Sequence, residues 1–153
     1  MARPDYVRQP KEYEERIVQI KRVSKKTKGG NKMGFTALVV IGNRKGKVGT
    51  ALGKAPNVAS AIQKGLAKAK ASIVEIKLGE NTIPYPINKK YKSSKILLKP
   101  APKGAGIIAG GTVRDVVELV GIKDISAKML GSNNKNMNIK CTILALEKLS
   151  KKI

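Results

Sequence analysis

The sequence predicts an α+β protein built of two small units, and three observations carry that expectation. Short β-branched runs cluster ahead of helical patterns in both halves of the chain. The clearest helix places Val58, Ile62, Leu66, Ala69 and Ile73 at spacings of four, four, three and four, one apolar stripe over about four turns. Between the halves, Gly79, Glu80 and Asn81 interrupt every period and mark a linker over 78–82.

Residues 1–13 alternate Pro, charge and Tyr, and are expected to form a flexible arm with no core of its own. The first unit spans 14–77. Arg16-Ile-Val-Gln-Ile-Lys-Arg-Val23 predicts a strand with Val18 and Ile20 on one face, Ile17 and Val23 on the other. Gly34-Phe-Thr-Ala-Leu-Val-Val-Ile-Gly42 is apolar on both faces, as a central strand is. Lys47–Lys54 is a third strand, joined to the second through Asn43-Arg-Lys-Gly46, whose glycine suits the φ > 0 position of a tight hairpin. Asn57 is positioned to cap the helix that follows. Three strands backed by one helix make a two-layer unit, with the second sheet face left open to solvent or a partner.

The second unit spans 83–153. Pro84 and Pro86 confine Ile83–Ile87 to an edge strand, Lys89–Ser94 is expected to be a loop, and Ile96–Lys99 is a strand ended by Pro100 and Pro102. Gly104-Ala-Gly-Ile-Ile-Ala-Gly-Gly111 leads into a helix with Val113, Val116, Val117 and Val120 on one face and Gly121 as its stop. Asp124–Leu130 is a third strand. Lys135–Leu149 is a second helix with Ile139, Ile143, Leu146 and Leu149 on its core side.

Charge gives the strongest functional signal. The chain carries 32 Lys+Arg against 10 Asp+Glu, a net +22 on 153 residues, more than solubility asks for. From Arg16 to Val74, 59 residues hold 14 Lys and Arg and no Asp or Glu, so nothing within the stretch neutralises those cations. A nucleic acid is the expected partner in preference to a membrane, because the basic residues are spread through patterned sequence. With aromatics at 3% and Phe35 the single Phe, base stacking on aromatic platforms is disfavoured. The absence of His excludes His-based acid-base catalysis and any Cys/His zinc site, and Cys141, being alone, cannot form an internal disulfide. No apolar run reaches ~20 residues and the amino terminus has no apolar signal region, which leads to the expectation of a soluble, unexported chain.

Lys25-Lys-Thr-Lys-Gly-Gly-Asn-Lys32 joins the first two strands with four cations and two glycines. It is read either as a solvated loop or as a finger in which Gly29 and Gly30 allow close approach to phosphate. Arg22, Lys25, Lys26, Lys28, Lys32, Arg44, Lys45, Lys47, Lys54, Lys64 and Lys68 are the candidate RNA-binding cations. Gly104-x-Gly-x-x-Ala109 formally matches a dinucleotide fingerprint, but Pro100 and Pro102 spoil the turn and Asp124 precedes its strand where a ribose-binding acid ends one. Gly49–Lys54 fails as a nucleotide phosphate loop, with three spacers in place of four and Ala55 after the lysine. Asp115 is read as part of an amino-terminal cap, Glu118 with Arg114 as a helix pair, and Cys141 as a buried apolar residue. No catalytic residue, cofactor or metal site is expected.

Lys28-Gly-Gly30, Phe35–Val40, Gly46-Lys-Val-Gly49, Gly53-Lys-Ala55, Ala61–Lys64, Gly106-Ile-Ile-Ala-Gly-Gly111, Arg114 and Gly131-Ser132, taken in order, closely resemble the family of ribosomal protein five of the small subunit, in its bacterial and organellar form. The likeness runs from about Glu14 to Leu149. It implies a double-stranded-RNA-binding-like βββα domain followed by a βαβα domain of the kind shared with GHKL-type ATPases and translation factors. It also implies a non-catalytic role on the small subunit, in the cytoplasm or in an organelle, near the mRNA entrance. The implied partners are small-subunit rRNA and ribosomal proteins four and eight. In the family the loop matching Lys25–Gly34 reaches rRNA near the decoding region. The segment matching Gly104–Arg114 lies towards protein four, at an interface linked to accuracy, so Gly104, Gly106, Gly110, Gly111 and Arg114 are candidate protein-contact residues. The chain departs from the family pattern at Ala51, usually Gly, at Lys135, where Pro commonly starts the last helix, and at Asn43–Gly46, which replaces an acidic hairpin. The two alternatives weighed are a ribosome-free double-stranded-RNA-binding regulator and an enzyme using the glycine loop.

Overall fold

The computed structural model describes residues 12–152; the expected arm therefore lies outside the described residues up to position 11. Two four-stranded sheets account for the architecture. In the first, β1 (Glu14–Thr27), β2 (Gly30–Gly42), β3 (Lys47–Ala55) and β4 (Val74–Glu75) run antiparallel in that order, with α1 (Val58–Ala71) between β3 and β4. In the second, β5 (Ile87–Tyr91), β6 (Ser94–Pro100), β7 (Ile107–Ile108) and β8 (Ile125–Met129) are ordered β5-β6-β8-β7. Only β7 and β8 are parallel, and α2 (Gly111–Val120) bridges them; α3 (Lys135–Ser150) follows β8.

The strand expected at Ile83–Ile87 starts at Ile87 instead, and the expected loop Lys89–Ser94 is mostly strand. Pro84 and Pro86 lack the N–H a ladder needs, so pairing begins beyond them, while Ile83 is buried in the core. A bulge between Ile17 and Gln19 shifts the phase of β1, so Ile17 shares a face with Ile20, and Val23 lies on the other.

The sheet face expected to be open is covered by the chain's own second half. Leu38, Val40 and Val48 point away from α1 and join Val113, Val116, Leu119 and Leu146 in one buried cluster. Ala37, Val39 and Ile41 point the other way, with Ala61 and Ala69 of α1. The two-sided apolar character of β2 thus serves two layers. Each large side chain so buried contributes about 1.5–3 kcal/mol relative to exposure.

Where the halves meet, the turn between β2 and β3 docks on the end of α2. The last carbonyls of a helix lack intrahelical partners; here Arg44 N–H donates to Leu119 O and Gly46 N–H to Val120 O, each at 2.9 Å. The turn is shaped by Asn43 Oδ1, which accepts from the N–H groups of Lys45 at 2.8 Å and Lys47 at 3.1 Å. Gly121 ends α2 at φ +105°, and a β-carbon there would collide with Arg44 O.

Candidate nucleic-acid interface

β1 and β2 outrun the rest of their sheet. β3 pairs with β2 no further than Phe35↔Ala55, whereas the β1–β2 ladder continues through Ser24↔Met33, Lys25↔Lys32 and Lys26↔Asn31 to Thr27↔Gly30. The expected loop Lys25–Lys32 is therefore a two-stranded ribbon closed by Lys28 and Gly29, and residues 21–33 are all exposed. Gly30 takes φ +137°, which L side chains rarely adopt, and nothing lies within 4 Å of a β-carbon built at Gly29 or Gly30. Thr27 Oγ1 donates to Gly30 O at 3.1 Å across the tip. Lys25 faces Lys32 directly, a like-charge pairing that costs stability.

The expected cations fall into four places. Arg22, Lys25, Lys26, Lys28 and Lys32 line the ribbon, with Gly29 and Gly30 at its tip. Lys54 sits on β3 opposite Thr36, which is opposite Lys21 on β1. These three line a groove of about 280 Å³ that also touches Gln19 and Asn134. Lys64 and Lys68 are exposed on the outer face of α1. Arg44, Lys45 and Lys47 instead lie at the junction of the halves, where Lys47 pairs in register with Glu75.

Two cations of the acid-free stretch are matched by carboxylates of this chain that lie outside the stretch, and so are not left for a nucleic acid. Arg16 Nη1 donates to Glu118 Oε2 at 2.6 Å and Asp115 Oδ1 at 3.0 Å. Arg44 binds Glu14 through Nε at 2.6 Å and Nη2 at 3.1 Å. These contacts raise both guanidinium pKa values, and Arg44 with Arg16 holds the Glu14 carboxyl below its ordinary range despite some desolvation. Asp115 binds Arg16 and provides no cap for α2, whereas Arg114 and Glu118 do form the expected i,i+4 pair, a long one at 3.9 Å. Asn57 stands at the amino end of α1 without a side-chain cap bond.

The glycine segment is braced from within. Asp124, 5% exposed, accepts from Gly106 N–H at 2.9 Å, and Arg114 Nη2 donates to Ile107 O at 2.7 Å. Asp124 thus holds the loop that a dinucleotide reading would have it serve. Gly104 and Gly111 are exposed, while Gly110 packs under Met129. Cys141 is buried in α3, and desolvation raises its thiol pKa. The missing proline at Lys135 is offset by Asn134, whose side chain accepts from Asn136 N–H at 3.2 Å.

Sequence reasoning missed Lys21 and a second acid-free stretch: the 34 residues from Asn81 to Arg114 hold seven Lys and Arg and no Asp or Glu. Among the described residues no cluster of His, Cys, Asp and Glu could hold a metal ion, and no helix is long and apolar enough to cross a membrane.

Comparison with known proteins gives matches along nearly the whole chain. Residues 13–77 match the family model described as "Ribosomal protein S5, N-terminal domain", and residues 89–152 that of "Ribosomal protein S5, C-terminal domain". The chain is 53% identical over 138 residues to the small ribosomal subunit protein uS5 of Campylobacter jejuni subsp. jejuni serotype O:23/36, strain 81-176, covering 90% of this chain and 94% of that one. It is 46% identical over 138 residues to uS5 of Acaryochloris marina, covering 90% and 78%. It is 53% identical over 125 residues to uS5 of Pseudothermotoga lettingae, covering 82% and 70%. On these matches the chain belongs to the ribosomal protein S5 family of the small ribosomal subunit, a family of structural ribosomal proteins and not of enzymes.

Proposed function

We propose that this protein is a structural component of the small subunit whose β1–β2 ribbon grips small-subunit rRNA near the decoding region and the mRNA entrance. The observation that carries the reading is the ribbon itself, a paired, exposed projection over residues 21–33 with Arg22, Lys25, Lys26, Lys28 and Lys32 and no carboxylate. A mobile solvated loop needs no such ladder. Because the cations are lysines on an exposed ribbon and the stacking aromatics few, binding is mainly phosphate contact that positions the protein without reading bases.

Ribosomal proteins four and eight are the neighbours this reading assigns, with the Gly104–Arg114 segment turned towards protein four. The internal bracing of that segment by Asp124 and Arg114 supports it, since a prepared loop loses little entropy on docking. Supporting assembly and translational accuracy follows from those placements, and the cytoplasm or an organelle is the assigned location.

The test is incorporation of the parent and of a Lys26→Ala, Lys28→Ala, Lys32→Ala triple variant into reconstituted small subunits, followed by a misreading assay. Impaired incorporation or altered misreading supports the proposal. A triple variant that assembles and decodes like the parent overturns it, and a native pool found mainly off the ribosome favours a free RNA-binding regulator.

A further inference from the structure

The second sheet, unlike the first, has a face that no helix covers. Along β6, Ser94, Ile96 and Leu98 point inward and are buried, so Lys95, Leu97 and Lys99 point outward. The register extends this face sideways: Lys90 of β5 lies opposite Lys95, Asn88 opposite Leu97, Lys128 of β8 opposite Leu97 from the other side, and Ser126 opposite Lys99. Lys90, Lys95, Lys99 and Lys128 therefore surround one half-buried leucine, and all four are exposed.

No Asp or Glu occurs in β5, β6, β7 or β8. Among the described residues none of these four lysines is in an ion pair. Lys90 and Lys95 face one another directly, which costs stability in the isolated protein. A face serving solubility alone intersperses both signs.

We propose that this face is a second RNA-binding surface, separate from the ribbon, that grips the phosphate backbone. The inference rests on the reading that the chain associates with rRNA. Strands stand about 4.8 Å apart and rise about 3.3 Å per residue, so the four Cα positions span about 13 by 10 Å, a footprint for a few phosphates. The face carries no aromatic and no Arg, the residues that enrich protein interfaces, and is dominated by Lys, which such interfaces deplete. Tyr91, the aromatic of β5, lies opposite Ser94 on the inward side. Recognition here is of backbone charge and not of base identity.

The experiment measures binding of the full chain to a labelled RNA hairpin of about 20 base pairs as a function of salt. Four proteins are compared: the parent, a sheet variant with Lys90, Lys95, Lys99 and Lys128→Gln, the ribbon triple variant, and their combination. Glutamine removes the charge and leaves a polar side chain suited to an exposed strand position. The sheet variant should bind at least about tenfold more weakly at physiological ionic strength, with the log-log salt slope reduced by about 2 to 3. If its slope is unchanged while the ribbon variant's falls, this inference is overturned and the rRNA reading stands; if neither changes, both fall. A sheet variant that keeps its RNA affinity but loses retention on immobilised polyglutamate would overturn the inference in favour of an acidic protein. Acylation of the unmutated protein gives a second readout free of folding effects. Bound RNA should protect Lys90, Lys95, Lys99 and Lys128, and unprotected lysines there would equally overturn the inference.

Discussion

Arg16 Nη1 lies 2.6 Å from Glu118 Oε2, across 102 residues of sequence, and ties the first strand of one sheet to the helix behind the other. The same nitrogen binds Asp115 at 3.0 Å, so one guanidinium neutralises two carboxylates of α2. Arg16→Ala leaves Asp115 without that cation and leaves Glu118 only the longer contact to Arg114 at 3.9 Å. Because the groups are roughly a quarter to a third exposed, a double-mutant cycle of Arg16→Ala with Glu118→Ala should give a coupling of about 1 kcal/mol in denaturant unfolding, smaller in high salt. Zero coupling at low salt would show the bridge to be energetically idle.

The backbone junction beside it is less forgiving. Gly121→Ala places a β-carbon against Arg44 O at a residue whose φ is +105°, so either the turn leaves α2 or the helix end unwinds. The variant should lose more than about 3 kcal/mol or fail to fold, far beyond an ordinary surface change. Wild-type thermal stability in this variant would mean that the junction gives way cheaply.

Glu14 and Arg44 make a pH-dependent contact. Hydrogen bonding to Arg44 holds the folded Glu14 pKa below its unfolded value. The stability it adds is therefore present above the unfolded pKa and lost as pH falls through the folded one. Arg44 stays protonated throughout. Melting temperature should drop between about pH 5 and pH 3 more steeply in the parent than in Glu14→Gln. Parallel curves would rule out the linkage.

The ribbon should behave in the opposite way to the junction, important for binding and dispensable for folding. Replacing Lys26, Lys28 and Lys32 with Ala should change stability by no more than about 0.5 kcal/mol, since all three are exposed beyond the end of β3. Affinity for rRNA should fall, with the salt slope reduced by about 2. Large destabilisation would indicate that the lysine stems pack against something.

What the sequence disclosed follows a physical division. The stripe Val58 to Ile73 and the valines of α2 have a period that only a helix explains, and a helix stands at each, but α1 ends at Ala71 and buries the small residues Ala61, Gly65 and Ala69, leaving Val58, Ile62 and Leu66 half-buried at the edge of the contact. The ribbon was legible as a cationic insertion but not as paired strand, because Ser24–Lys32 has no apolar alternation and its order comes from the ladder alone. Likewise β2 announced burial on both faces through Leu38, Val39, Val40 and Ile41, yet nothing local said that the second layer would be the chain's own α2 and α3. Arg16 and Arg44 looked free for the same reason. Their partners are set by tertiary contact and lie 102 and 30 residues away.

The placement of the ribbon on rRNA is tested most directly by cleavage from its tip. Asn31→Cys puts a thiol on the exposed ribbon, while Cys141 is buried and out of reach of a tethering reagent. Iron tethered at that cysteine, in small subunits reconstituted with the variant, should generate hydroxyl radicals that cut small-subunit rRNA around the decoding region. Cuts confined to other parts of the rRNA, or no cuts from particles that contain the protein, would contradict the account.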